Sequence, residues 1–363
     1  MQALVLVGGE GTRLRPLTLT RPKPAIPLVD RPFIRFMVDW LAGHGVTEVV
    51  MACGFRAEDL RSALGDEAAG ISIRYLEEPE PLGTAGPVRR AADQGLLGDR
   101  FLVLNGDVLA DLDLAALVRA HTERQAVASL ALYPVDDPSS YGLVRRTEDG
   151  AVTGFLEKPD PVEIDTDEVN AGAYVLERAV VDLIQPGRSV SIEREVFPRL
   201  VGQGLYGLRL DGYWVDIGTP ERYLQASWDI LEGRVHTEVA ARVNASGLAV
   251  DEHADVDPGA VLEAPALVEA GATVAAAAMV GPRAVVGADC ELAEGVSVEG
   301  AVLHPGCRLG AGASVSGAIL GAGVEVGENA IVAAGAVIGE EARIEAGAEL
   351  DEDARIEPGG VAA

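Results

Sequence analysis

Lysine is nearly missing from this chain. Of 29 basic residues only Lys23 and Lys158 are lysine, and all the others are arginine. Cysteine is scarce as well: Cys53, Cys290 and Cys307 are odd in number and widely spaced, which excludes a disulfide framework and fits small apolar roles in a reducing compartment. With five scattered histidines there is no His/Cys cluster for a zinc-type centre. No window is long and apolar enough to span a bilayer, and the first residues run into a strand without a signal-peptide pattern. A cytoplasmic protein with no membrane partner is therefore expected. Net positive charge is lacking too: the formal charge is −28, which argues against nucleic acid as a partner.

What the chain has in quantity is apolar residues, 48% of 363, enough for two domains with cores and well above the content of a disordered chain. Its first apolar run, Ala3-Leu4-Val5-Leu6-Val7, reads as a strand buried on both faces. It leads into Gly8-Gly9-Glu10-Gly11-Thr12-Arg13-Leu14-Arg15-Pro16-Leu17-Thr18 and then Arg21-Pro22-Lys23-Pro24. Glycines let the backbone approach a ligand, and the amides of such a turn can form an anion trap. Arg13, Arg15, Arg21 and Lys23 add positive charge, while the prolines stiffen the segment that presents the lysine. The pattern suits a polyphosphate; a tight turn with solvated arginines is the plainer alternative. It is not a Walker loop, because no lysine follows the glycines at the required spacing. It is not a dinucleotide fingerprint either, because the third glycine position is Leu14. An acidic protein that binds a polyphosphate must concentrate positive charge locally and recruit a divalent cation. Ammonium and guanidinium are not interchangeable at a phosphate, so the two retained lysines single out their positions.

Strand and helix signals then alternate. Helices are expected over residues 32–45, 57–64, 88–92 and 114–124, and strands over 46–53, 71–76, 101–104 and 127–133. The alternation predicts an α/β fold, a Rossmann-like and mostly parallel sheet with helices on both faces. Ligands bind such sheets at the carboxyl ends of the strands. The loops at residues 8–24, 80–86 and 105–107 all follow strands and should converge on one crevice. Asp107 stands where a metal-binding carboxylate is expected, although an Asx turn uses the same residue. Residues 141–144 and 152–156 look like paired strands leading to Glu157-Lys158-Pro159. Asn170 opens another strand, and Ser191-Ile192-Glu193-Arg194-Glu195 resembles a capped helix start. Gly212-Tyr213-Trp214-Val215-Asp216-Ile217-Gly218 supplies a second strand-borne carboxylate, Asp216, before an amphipathic helix to about residue 232.

Beyond residue 250 the pattern changes. Val256, Leu262, Val268, Val274, Val280, Val286, Leu292 and Val298 recur at every sixth position, with small residues such as Ala260, Ala266, Ala272 and Cys290 four places after most of them. The phase slips by one at Leu303 and again at Leu320, then runs on to Ile356. A six-residue period is the mark of a parallel β-helix of hexapeptide repeats, aliphatic residues inward and small ones at the corners. The expected division is a catalytic domain over residues 1–235, a linker over 236–249 and the β-helix over 250–363. From His236 onward there are 21 acidic residues against five arginines, most of them accounted for by a solvated outer face.

The signature at residues 8–24 resembles that of the sugar-1-phosphate nucleotidylyltransferases. So do Leu82-Gly83-Thr84-Ala85-Gly86-Pro87, Glu157-Lys158-Pro159, Asn170-Ala171-Gly172, the segment at residues 191–198 and Tyr213-Trp214-Val215-Asp216-Ile217-Gly218. The set is most similar to members that use GTP and mannose 1-phosphate and carry a C-terminal left-handed β-helix. The resemblance implies transfer of a nucleoside monophosphate from an NTP to a sugar 1-phosphate, with release of pyrophosphate. It implies that Asp107 and Asp216 hold Mg²⁺, that Arg13 and Lys23 neutralise the NTP phosphates, and that Lys158 holds the sugar phosphate. Gly8, Gly9, Gly83 and Thr84 would line the base and ribose side, Gly142, Glu157 and Asn170 would contact the sugar, and Gly11, Thr12 and Asn105 would be further substrate-binding residues. A homo-oligomer with contacts through the β-helix is the expected assembly.

Other readings stay open at this level. dTTP, UTP or ATP with glucose 1-phosphate is the next pairing. A second, acetyl-transferring activity in the β-helix would need a general base, and only His236, His253 and His304 occur there, without a lysine. A catalytically silent regulatory relative should have a damaged signature, whereas residues 8–18 are uninterrupted.

Overall fold

A computed structural model describes residues 1–54, 56–78, 80–157, 160–243 and 245–363, with the backbone alone at Glu157 and Pro161. Two compact units share the chain: Met1–Gly9 with Ile34–Trp214, and Glu10–Phe33 with Val215–Ala363. Packing thus divides the chain differently from the change of sequence pattern near residue 235, because the signature segment belongs to the same unit as the repeats.

In the first unit the apolar runs form the centre of a mixed ten-stranded sheet. Gln2–Leu6 lies between Glu48–Cys53 and Arg100–Asn105, parallel to both, with Leu4 opposite Val50 and Val103. Ile71–Glu77 extends the parallel part beyond Glu48–Cys53. On the other side Glu168–Glu177 runs antiparallel to Arg100–Asn105, and the paired strands Gly142–Arg146 and Val152–Glu157 complete that edge. Both faces of the central strands bury aliphatic side chains, so continuous apolar runs, not alternating ones, mark them. Helices form at Phe33–Gly43, Ala57–Leu64, Gly86–Asp93 and Leu114–Glu123, within a few residues of expectation. At residues 191–195 the capping works as expected, Arg194 N donating to Ser191 Oγ, but the first turn is a π-turn over Ile192–Val196 before the helix Phe197–Leu200.

In the second unit the hexapeptides wind into three parallel sheets of seven, seven and six short strands, a left-handed β-helix. Val268, Val274, Val280, Val286, Leu292 and Val298 all lie in the coil core with the small residues Ala272, Ala278 and Cys290. Both phase slips fall at one corner, at Gly300 and Gly317, whose φ angles are +57° and +54°. There five residues instead of six join consecutive inward side chains. The shortened corner receives the helix Pro220–Leu231: Trp228 Nε1 donates to Gly300 O at 3.2 Å.

The six-residue period does not announce a second apolar stripe. Leu267, Val285, Val302, Ile319 and Val337 alternate with inward residues, so they point out of the coil, yet each is fully buried. This flank is bonded to the rest of its unit through Trp228, through Arg283 with Glu232, and through Arg242 with Glu269. Among the described residues no helix is long and apolar enough to cross a membrane.

Candidate active site

In the first unit the turns that follow the central strands adjoin. A Cβ on Gly8 would stand 3.4 Å from the Gly54 nitrogen and 3.6 Å from Glu78 Oε1. A Cβ on Gly106 would stand 2.4 Å from the Val7 side chain. The Gly106 contact demands glycine whatever the ligand, whereas those at Gly8 are ordinary van der Waals distances. Gly9 faces open space. Burial pushes the Glu78 carboxyl up to about 7, so it changes charge near neutrality beside Gly8. Sequence reading passed over Glu78, since nothing in Glu77-Glu78 says which carboxylate turns inward.

A pocket of about 500 Å³ opens at the end of the strand Arg100–Asn105, lined by Asn105, Gly142, Phe155, Asn170, Glu193 and Arg194 among others. Three expected substrate residues, Asn105, Gly142 and Asn170, therefore meet in one cavity. Asn170 Oδ1 accepts from Gly172 N at 3.0 Å, and its Nδ2 donates to Tyr174 Oη at 2.9 Å. Gly172 has φ +72°, and a Cβ there would lie 2.7 Å from Asn105 Nδ2, which explains the Asn-Ala-Gly string. Asn105 Oδ1 is buried and has no hydrogen-bond partner among the described residues.

Glu193 ties this pocket together. It accepts from Thr84 Oγ1 at 2.7 Å and Ser191 Oγ at 2.8 Å, while Thr84 Oγ1 in turn accepts from Ile192 N at 2.9 Å. Thr84 is thus a brace between two loops through its side chain. Gly83 has φ +70°, and a Cβ would lie 2.5 Å from Val190 O, so packing dictates its identity. Gly142 pairs with Glu157 across the edge hairpin. The Glu157 side chain and Lys158 lie outside the described residues. Asp107 is half-buried in the turn two residues past the strand that ends at Asn105.

In the second unit Arg13, Lys23 and Asp216 come together. Gly11 has φ +61°, and a Cβ there would lie 2.9 Å from Thr18 Cγ2 and 3.0 Å from Lys23 Cβ. The signature thereby folds back on itself, with Thr18 Oγ1 donating to Gly11 O at 3.0 Å. Thr12 starts the short turn Thr12–Leu14. Lys23 is only 7% exposed, and its Nζ stands 4.0 Å from Asp216 Oδ1. Arg222 Nη1 reaches Asp216 Oδ2 at 3.2 Å; sequence reading missed this arginine because the strand-to-helix turn between them has no fixed period. Gly218 fits between Arg13 and Asp216, where a Cβ would lie 2.5 Å from Arg13 Nη2 and 2.9 Å from Asp216 Oδ1. Two of the expected phosphate cations go elsewhere: Arg15 pairs with Glu10 at 3.5 Å, and Arg21 pairs with Glu340 of the β-helix. Cys53 is no nucleophile, since burial pushes its thiol up to about 12.

A family model described as nucleotidyl transferase matches residues 2–233, and one described as GMPPB C-terminal domain matches residues 262–358. The chain belongs to the nucleotidyl transferase family. Among its relatives, the mannose-1-phosphate guanylyltransferase of Mycobacterium tuberculosis is 41% identical over 266 residues, covering 72% of this chain and 73% of that protein. The mannose-1-phosphate guanyltransferase of Candida albicans is 43% identical over 233 residues, 62% of this chain and 64% of that one. The crystal structure of HddC from Yersinia pseudotuberculosis superposes with a TM-score of 0.55 at 25% identity, covering 62% of this chain and 97% of that chain. Nucleotidyl transferases of this kind act on an NTP and a sugar 1-phosphate and generally work with a divalent cation. Among the described residues no group of three or more His, Cys, Asp or Glu side chains forms a metal cage by itself. The donor set that fits such an ion is a pair of hard carboxylates completed by phosphate oxygens.

Proposed function

We propose that this nucleotidyl transferase makes GDP-mannose and pyrophosphate from GTP and mannose 1-phosphate. The likeness of nearly three quarters of the chain to a mannose-1-phosphate guanylyltransferase carries this reading. A phosphate oxygen of mannose 1-phosphate attacks the α-phosphorus of GTP in line, and pyrophosphate leaves with the electron pair of the broken bond. No covalent protein intermediate is required, so the work of the chain is positioning and charge neutralisation. Arg13 and Lys23 neutralise the triphosphate and the leaving pyrophosphate, and Arg222 keeps Asp216 oriented. Gly8, Gly9, Gly11, Thr12, Gly83 and Thr84 shape the nucleotide side through the backbone. Asn105, Gly142, Glu157 and Asn170 hold the sugar, with Glu193 fixing the loops around it, and Lys158 holds the sugar phosphate. Asp107 and Asp216 would hold Mg²⁺, which when bound lowers the repulsion between the two phosphorylated reactants.

A second copy of the chain is the expected partner. The coil face that exposes Val261, Met279 and Ile331, each 44–47% accessible, supports an assembly through the β-helix, and sedimentation velocity tests it. The reaction is tested by a pyrophosphate-release screen of GTP, ATP, UTP and dTTP against mannose and glucose 1-phosphates. Preference for GTP with mannose 1-phosphate is expected; any other preferred pair overturns the substrate assignment, and no release with any pair overturns the activity.

A further inference from the structure

The segment that carries Lys23 is clamped at both ends by the β-helix. At its start Arg21 is paired with Glu340, and both side chains are largely buried, 32% and 18% exposed. At its end the Tyr223 hydroxyl donates to Pro27 O. A carbonyl can only accept, so that bond uses the single phenolic proton, and the 3.0 Å contact with His304 must run from His304 Nε2–H to Tyr223 Oη. His304 therefore carries a proton on Nε2, and its burial disfavours a second on Nδ1. It is 2% exposed and Tyr223 is completely buried. A third tie lies just beyond: Asp30 accepts from Arg242, which also holds Glu269 of the β-helix at 3.0 Å.

Little freedom remains between these anchors. Pro22 and Pro24 have their φ angles locked by their rings, and Lys23–Ala25 is a tight 3₁₀ turn. Between the Cα atoms of Arg21 and Lys23 only ψ of Arg21, ψ of Pro22 and φ of Lys23 can turn. A shift of Arg21 is thus passed on to Lys23, whose Cβ approaches Gly11 so closely that an added Cβ there would stand 3.0 Å away, and so to the glycine loop.

From this geometry we infer that Glu340 and His304 of the β-helix are positioning residues of the nucleotide site, setting through Arg21 and through Tyr223–Pro27 where the Lys23 ammonium stands for the triphosphate. The inference rests on the phosphate-binding role proposed above for Lys23. It makes the repeat domain a working part of substrate binding, and it explains why a chain that needs cations at its signature gives Arg21 to a carboxylate.

The test compares Glu340→Gln, Glu340→Asp and His304→Gln in the full chain, with thermal unfolding as the control for folding. Glu340→Gln keeps the shape and removes the charge. It should raise KM for the NTP roughly ten- to hundredfold, while KM for the sugar 1-phosphate stays within about twofold and the melting point is nearly unchanged. Glu340→Asp should recover most of the loss, because a shorter carboxylate still pairs with Arg21. Unchanged KM for the NTP, equal rises in both KM values, or a fall in melting point alone would overturn the inference. Should the wild-type chain release no pyrophosphate, the proposed reaction fails by itself. The clamp is then read from titration with inorganic tripolyphosphate and a divalent cation, which needs no turnover. There Glu340→Gln should weaken binding and Lys23→Ala should abolish it; equal affinity of wild type and Glu340→Gln would again overturn it.

Discussion

Charge at single residues carries the chemistry proposed for this chain. Lys158 is one of two lysines among 29 basic residues, and its proposed contact is with the phosphate that attacks. Lys158→Ala should cost roughly 10²–10³ in kcat/KM, the usual loss of one charge-stabilising contact, with the fold intact by circular dichroism. Near-normal turnover would dismiss the role. His304 gives a prediction in pH. Burial, helped by the Arg21 charge, pulls its imidazole down to about 3, whereas in the unfolded chain it protonates near its ordinary value of 6.5. Between those values the unfolded state binds a proton that the native state refuses, so this contribution is complete above pH 6.5 and is lost as pH falls. The difference amounts to about 2 kcal/mol between pH 6.5 and 5. Chemical unfolding of wild type and His304→Gln at both pH values measures it: the variant should lose less stability, and parallel losses would show that His304 does not protonate on unfolding.

Elements behave according to how many neighbours they have. Each coil of the β-helix is held by the coils above and below, and the strand at Leu303 has both, while Ile356 lies in a terminal coil and is only half-buried. Solenoid stability is a sum over such nearest-neighbour contacts. Leu303→Ala should therefore destabilise by about 2–5 kcal/mol, the usual cost of a buried cavity, and Ile356→Ala by clearly less. Equal shifts in denaturant midpoint would contradict this ordering. The helix Pro220–Leu231 shows the same logic at a junction. Its Trp228 meets a corner made one residue shorter, so the slips in the repeat are docking features and not decay of the pattern.

At the scale of the whole molecule, the excess of 57 acidic over 29 basic residues opposes the assembly of two phosphorylated reactants. Arg13 and Lys23 cannot neutralise a triphosphate and a sugar phosphate alone. Chelation of divalent cations should abolish pyrophosphate release, and added Mg²⁺ should restore it; undiminished release in excess chelator would exclude the Asp107–Asp216 assignment. The two compact units interleave along the chain, with residues 10–33 packed in the repeat-bearing unit. Sequence reading places a boundary near residue 235, where composition and period change, and local pattern holds no record of the unit in which residues 10–33 pack.

By itself the sequence determined the local features. Glycine strings, paired prolines, apolar runs and the six-residue period report backbone geometry and side-chain direction, both of which are local consequences of residue type. Hence the sheet and the coils were within reach. Only the tertiary structure decided which partner each charge takes. Arg21 reads as one more phosphate cation until Glu340 is found beside it, and nothing local to Glu193, Arg222 or His304 says which partner each takes. Pairing between charges far apart in the chain is set by packing distances, and those have no period for a sequence to display.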